Sequence, residues 1–289
     1  MSRPTELDRG LLRDFPLPEP PDGDKHDRGR LLVVAGQRSL PGAALLCATA
    51  GMRAGAGSLK IATVESIAAA VGVAVPESRT VGLPEAQDGS FAHDGVREIA
   101  ELAKDADAVV AGPGMFESPE CDAIAEVLLK ADAAVALDAG ILRSLPSADD
   151  APRSSKPTPI LLPHAGEMAA LLGCDKEAVE ADPVGCGREC AKRFHAITLV
   201  KGSTSYIVHP DGRAWVYRGG APGLGVSGSG DALAGIVGGL LARAADPLTA
   251  LLWAVLLHGE AGERLSKKVG PVGFLAREIP DEIPALLRL

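Results

Sequence analysis

From residue 30 onward, short apolar runs alternate with longer runs of helical character. Residues 30–36 (RLLVVAG) are apolar throughout and end in glycine, the pattern of a strand covered on both faces of a parallel sheet. The same pattern predicts strands over 58–63, 79–83, 108–111, 133–137, 159–162 and 197–200. Residues 205–209 and 213–217 read as a hairpin across Pro210-Asp-Gly212. Helices are expected over 43–53, 64–71, 94–104, 119–130, 167–172, 232–242 and 247–267, and one continuous helix over 176–194. Residues 147–158 read as a polar loop, and helices dominate the remainder to the C-terminus. Strands alternating with helices imply an α/β fold with a mainly parallel central sheet.

Residues 1–29 are polar and proline-rich, an extended lead-in with at most one helical turn. Past residue 30 there is no linker, composition shift or internal repeat, so one domain is expected over 30–289.

Composition narrows the function classes. A chain of 289 residues can bury a large core, and with 3% aromatic residues that core must be built of Ala, Val, Leu and Ile. The net charge is −9 with both signs mixed along the chain, which argues against nucleic-acid and membrane-surface partners. No basic N-terminal start leads into an apolar run, and the longest apolar runs, 232–242 and 248–257, are too short to span a bilayer. Five scattered cysteines fit a reducing compartment, and a cytoplasmic protein is expected. Cys186, Cys190 and His195 do not have a usual zinc spacing.

The chemistry gathers at one stretch, residues 219–231 (GGAPGLGVSGSGD), which runs into the apolar segment 232–242. A glycine-rich loop brings backbone close to a ligand, and the first turn of the following helix offers unpaired N–H groups to a phosphate. Asp231 sits at that turn, poorly placed to bind an anion but well placed to take a proton from a hydroxyl about to meet a phosphoryl group. Gly223, Gly225 and Gly228 also spell a dinucleotide-binding fingerprint, but a second helix follows where that motif needs a strand. No P-loop sequence is present. Ligands of open α/β sheets bind beyond the carboxyl ends of the strands. Gly36, Gly112–Gly114, Asp138, His164, Lys201 and Asp231 all fall there. Singly, each has a plain structural reading. Asp138 could be an N-cap, His164 could be satisfied by its own backbone, and Lys201 could be an exposed strand end. Together on one sheet edge they point to a site.

These residues carry a resemblance. Lys25-His26 with residues 29–36, residues 41–44, 53–57 and 112–114, Asp138-Ala139 with Leu142, Pro163-His164 with Gly166-Glu167, Lys201-Gly202, and 228–231 with 233–235 stand in consistent order. In this the chain resembles the ADP-dependent NAD(P)H-hydrate dehydratases, a family of the ribokinase-like fold. The resemblance implies a three-layer α/β/α architecture. It implies a lyase that dehydrates the S epimer of hydrated NADH or NADPH, with ADP (or ATP) as phosphoryl donor, Mg2+ on the donor phosphates, and release of AMP and phosphate. Carried over by position, Ala43, Gly112, Gly114, His164 and Asp231 would contact the hydrated dinucleotide, with Asp231 catalytic. Lys201, Gly202, Ser203, Thr204, Ser205, Gly228, Ser229 and Gly230 would hold the nucleotide; no metal ligand is assigned. Leu162 and Ser229 stand where the family commonly has Thr, and Gly140 where it commonly has Asp. Many relatives carry an N-terminal epimerase domain, for which residues 1–29 are too short, so a separate NAD(P)H-hydrate epimerase is the expected functional partner. The alanine-rich stretch 43–53 leaves room for a subunit contact, and a homo-oligomer, a tetramer among the options, is expected. Two other functions share the loop and the acid. A kinase of the same fold would phosphorylate a small alcohol of vitamin-precursor type and stop there, and a nucleotide sensor would not turn over.

Overall fold

Strands this apolar must be covered on both sides, and the computed structural model shows how; it describes residues 3–19, 22–145 and 157–288. The strands are β1 (Thr5–Glu6), β2 (Arg30–Val34), β3 (Ser58–Val64), β4 (Ser78–Leu83), β5 (Ala108–Ala111), β6 (Ala134–Leu137), β7 (Ile160–Leu161), β8 (Ile197–Val200), β9 (Ser205–Val208) and β10 (Ala214–Tyr217). The helices are α1 (Pro41–Arg53), α2 (Glu65–Ala74), α3 (Gly95–Lys104), α4 (Pro119–Leu129), α5 (Ala165–Leu172), α6 (Lys176–Ala181), α7 (Pro183–Phe194), α8 (Ser229–Ala242), α9 (Pro247–Lys268) and α10 (Ile279–Leu286). The strands form one sheet in the order β1-β10-β9-β8-β7-β6-β5-β2-β3-β4. From β4 to β8 every pairing is parallel, while β9 lies antiparallel to both β8 and β10. The chain winds outward from β2 through β3 to β4, then returns to β5 on the other side of β2. Neighbouring strands whose connections leave in opposite directions open a crevice at their carboxyl ends.

Helices α1, α8, α9 and α10 pack together over one face, and α3, α4, α5, α6 and α7 form the other layer. Helix α8 lies deepest, against β2, β5 and β6, and is nearly all buried. It sits unusually close to α1. A Cβ added at Gly235 would fall 2.1 Å from the Cys47 carbonyl oxygen, and one at Gly239 2.2 Å from that of Gly51. That approach fixes how far α8 reaches toward the carboxyl edge of the sheet, and so where Asp231 stands.

One expectation changes. The single helix over 176–194 is two, because Pro183 cannot continue α6 and instead opens α7, where the Asp182 carboxylate caps the Gly185 N–H at 2.8 Å. The lead-in is tied into the fold: β1 pairs in parallel with β10, Phe15 packs edge-on against Trp215, and the Phe15 carbonyl accepts the Trp253 indole N–H at 2.7 Å. The small-residue face of α1 is covered by α8 and α10 of the same chain. Of the polar loop expected over 147–158, residues 147–156 lie outside the described residues. Among the described residues no helix is long and apolar enough to cross a membrane.

Candidate active site

At the crevice, the Gly36 N–H donates to the Pro113 carbonyl at 2.8 Å, joining the loops that leave β2 and β5. Gly112 has φ +117°, and a Cβ there would fall 1.8 Å from the Asp138 carbonyl oxygen, so only glycine lets these two strand ends approach. Gly114 in turn packs against Ala43. The result is a cleft of ≈ 680 Å³ lined by Ala43, Gly114, His164, Glu167, Gly228 and Asp231, with Leu40, Leu46, Met115 and Phe116 as apolar walls. Glu117 and Arg143 also line it, joined by an ion pair of 2.9 Å.

Asp138, which follows β6, is buried. Its Oδ1 accepts the Ala139 N–H at 2.9 Å and the Lys201 ammonium at 2.6 Å. Lys201 follows β8 and also lies 3.9 Å from Glu167. A buried carboxylate and ammonium tolerate burial only as a pair. One Asp138 oxygen thus both caps the turn after β6 and holds the Lys201 ammonium.

His164 is the N-cap of α5. Its Nδ1 accepts the Gly166 and Glu167 N–H groups at 3.0 and 3.2 Å, and Glu167 Oε2 accepts the His164 N–H at 2.8 Å, closing a capping box. With Nδ1 accepting, the proton of the neutral ring sits on Nε2, 3.3 Å from Glu167 Oε1. His164 therefore faces the cleft as a donor. Burial, only partly offset by Lys201, pushes the Glu167 carboxyl above its usual range.

The N-cap of α8 is Gly228, and no side chain caps that turn. The Gly230 and Asp231 N–H groups are left without intrahelical acceptors, beside the positive end of the helix dipole. A Cβ at Gly230 would lie 3.7 Å from the Lys201 ammonium, so amides and cation converge. Burial and the nearby Asp138 charge push the Asp231 carboxyl up to about 6, against the opposing pull of Lys201. The Ser229 hydroxyl turns inward to His258 Nε2 at 3.0 Å, so Ser229 offers the cleft no side-chain donor. Desolvation holds the His258 imidazole neutral, its pKa lowered to about 4.

Of the residues expected on the substrate, Ala43, Gly114, His164 and Asp231 line the cleft, and Gly112 braces it from beneath. Of those expected on the nucleotide, Gly228 lines the cleft. Lys201, Gly202, Ser203 and Thr204, on the turn from β8 to β9, and Ser205, the first residue of β9, lie outside its walls, with Gly230 beside Lys201. Sequence reasoning gave no role to Glu167, Phe116, Arg143 or His258. An isolated histidine directly after the apolar run 248–257 was the one signal for His258. Among the described residues no group of three or more His, Cys, Asp or Glu is arranged to hold a metal ion.

The sequence matches the family described as NAD(P)H-hydrate dehydratase over residues 31–285. It is 46% identical over 280 residues to the ADP-dependent (S)-NAD(P)H-hydrate dehydratase of Xanthomonas campestris, covering 96% of this chain and 93% of that one. Its structure superposes with a TM-score of 0.86 and 28% identity on the ADP/ATP-dependent NAD(P)H-hydrate dehydratase of Bacillus subtilis co-crystallised with ATP and Mg2+, covering 99% of this chain and 98% of that one. A ribokinase-like superfamily protein of Enterococcus faecalis superposes with a TM-score of 0.80 at 22% identity over 98% of this chain and 95% of that one, a likeness of fold.

Proposed function

This chain belongs to the NAD(P)H-hydrate dehydratase family, and on that premise we propose that it dehydrates the S epimer of hydrated NADH or NADPH with ADP as phosphoryl donor, releasing AMP and phosphate. The observation that carries the reading is Asp231: a carboxyl pushed up to about 6, on the uncapped first turn of α8, inside a cleft of ≈ 680 Å³.

A hydroxyl is a poor leaving group, and phosphorylation makes it a good one. Asp231 takes the hydroxyl proton as the oxygen attacks the donor phosphoryl group, and its raised pKa makes it an effective base near neutral pH. The Gly230 and Asp231 amides and the α8 dipole stabilise charge building on the transferring oxygens. Lys201, held at 2.6 Å by Asp138, presents its remaining N–H donors to the nucleotide phosphates. His164 donates from Nε2 to the substrate, and the apolar walls cover the nicotinamide. Mg2+ would be brought by the donor phosphates, whose negative charge it neutralises. The companion activity for this reading is an epimerase that converts the R hydrate to the S form.

The test is an assay with hydrated NADH and ADP, following the reduced-nicotinamide absorbance with AMP and inorganic phosphate. Equal amounts of all three products are expected. A phosphorylated hydrate accumulating with AMP but without free phosphate would instead mark a kinase.

A further inference from the structure

Restoring a ring double bond from its hydrate removes two protons, and the dehydratase reading has accounted for one. The first leaves the hydroxyl, for Asp231. The second must leave the ring carbon next to the one that carried the hydroxyl. When phosphate departs with its bonding pair, the ring-nitrogen lone pair forms a carbon–nitrogen double bond, and this acidifies the neighbouring C–H. A base then takes that proton, the C–H electrons form the ring double bond, and the nitrogen recovers its lone pair.

The cleft presents four groups for this step. Asp231 already carries the hydroxyl proton. Glu117 is committed to Arg143 at 2.9 Å. Protonating His164 at Nδ1 would break its two contacts from the Gly166 and Glu167 amides, and Nε2 already bears the proton. Glu167 remains. Its side chain is 12% exposed, in the cleft wall; Oε2 accepts the His164 N–H at 2.8 Å, while Oε1 lies 3.3 Å from His164 Nε2 and has no shorter partner among the described residues. Lys201, 3.9 Å away, can steady the carboxylate without engaging it fully. Resting on the dehydratase reading, we propose that Glu167 is a second catalytic base, which takes the ring-carbon proton as phosphate leaves. Burial disfavours its charged form, which suits a group that must accept a proton.

Glu167 also caps α5, and the test separates the two roles. In Glu167→Gln the amide oxygen can still accept the His164 N–H, because a capping box takes Glu or Gln, but it cannot take a proton. In a single turnover, AMP should form at close to the wild-type rate, while phosphate release and the absorbance rise slow by a factor on the order of 10² or more. The variant would then behave as a kinase. Glu167→Asp, which keeps a carboxylate, should recover part of the lost signal. The proposal is overturned if phosphate and absorbance keep pace with AMP in Glu167→Gln, since water or the departing phosphate then takes the proton. It is equally overturned if all three signals fall together, the mark of a purely structural role. Wild-type enzyme giving none of the three signals would sink the dehydratase reading instead.

Discussion

The two ends of the sheet hold ionisable groups in opposite ways. At the amino ends of β2, β5 and β6 lies a cavity of ≈ 930 Å³, larger than the cleft at the carboxyl ends, lined by Arg30, Asp107, Lys130 and Asp246 among others. There Asp107 accepts from the Arg30 guanidinium at 2.8 Å, and that partner holds its carboxyl below the usual range. At the carboxyl ends Asp231 and Glu167 are both raised, chiefly by burial. One end satisfies its charges; the other keeps two acids in a form that readily takes a proton. On the proposed function the smaller cavity is the chemical one, because convergence of donors with perturbed acids, not volume, makes a site.

The largest effect should come from Asp231→Asn. Turnover should fall by a factor on the order of 10² or more with nucleotide binding nearly intact, measured by the absorbance rise and by nucleotide titration. Asp107→Asn should leave turnover unchanged, and a comparable loss there would erase the contrast between the two ends.

Next is Lys201→Ala, which removes a cation from the nucleotide and leaves Asp138 buried without its partner. The apparent KM for ADP should rise roughly tenfold to a hundredfold. Stability should fall by about 3 kcal/mol in urea unfolding. Arg30→Ala, removing an exposed pair, should cost about 1 kcal/mol or less and leave that KM alone.

The acidic limb of the pH dependence should follow. With Asp231 at about 6, kcat/KM should fall about tenfold per pH unit below that value. A limb centred near 4 would mean that Asp231 is not the base.

The smallest effect is a difference of sign. Asp231 loses its proton near 3.8 when unfolded but near 6 when folded, so its ionisation weakens the fold as pH rises through that window. Asp231→Asn should therefore be more stable than wild type at pH 8, by up to about 3 kcal/mol, with no gain below pH ~4. Asp107 is lowered by folding, so its stabilisation is present at neutral pH and lost as pH falls through its folded value. Asp107→Asn should cost ~1 kcal/mol at pH 8, and paired thermal melts at the two pH values would show whether the signs oppose.

Local order was legible because it rests on local rules. The run 30–36 read as a strand and 43–53 as a helix, and they appear as β2 and α1. The break at Asp182–Pro183 was there to be read, since proline removes a helix hydrogen bond wherever it falls, yet the long 176–194 pattern masked it. His164 was ambiguous between cap and ligand. It is a cap whose ring still faces the cleft, which needs the positions of Gly166 and Glu167 to decide. The inward turn of Ser229 toward His258 joins residues 29 apart on two different helices, and no spacing rule predicts it.

By itself, the sequence determined most of the strands and helices, that glycine and acid meet at residues 228–231, and which family the chain belongs to. Hydrophobic period, turn chemistry and contiguous motifs are properties of neighbours along the chain. Tertiary structure alone decided that β5 returns beside β2, that Lys201 pairs with Asp138 63 residues away, and that burial raises Asp231 and Glu167. Strand order, charge pairing and desolvation depend on what the fold brings together in space.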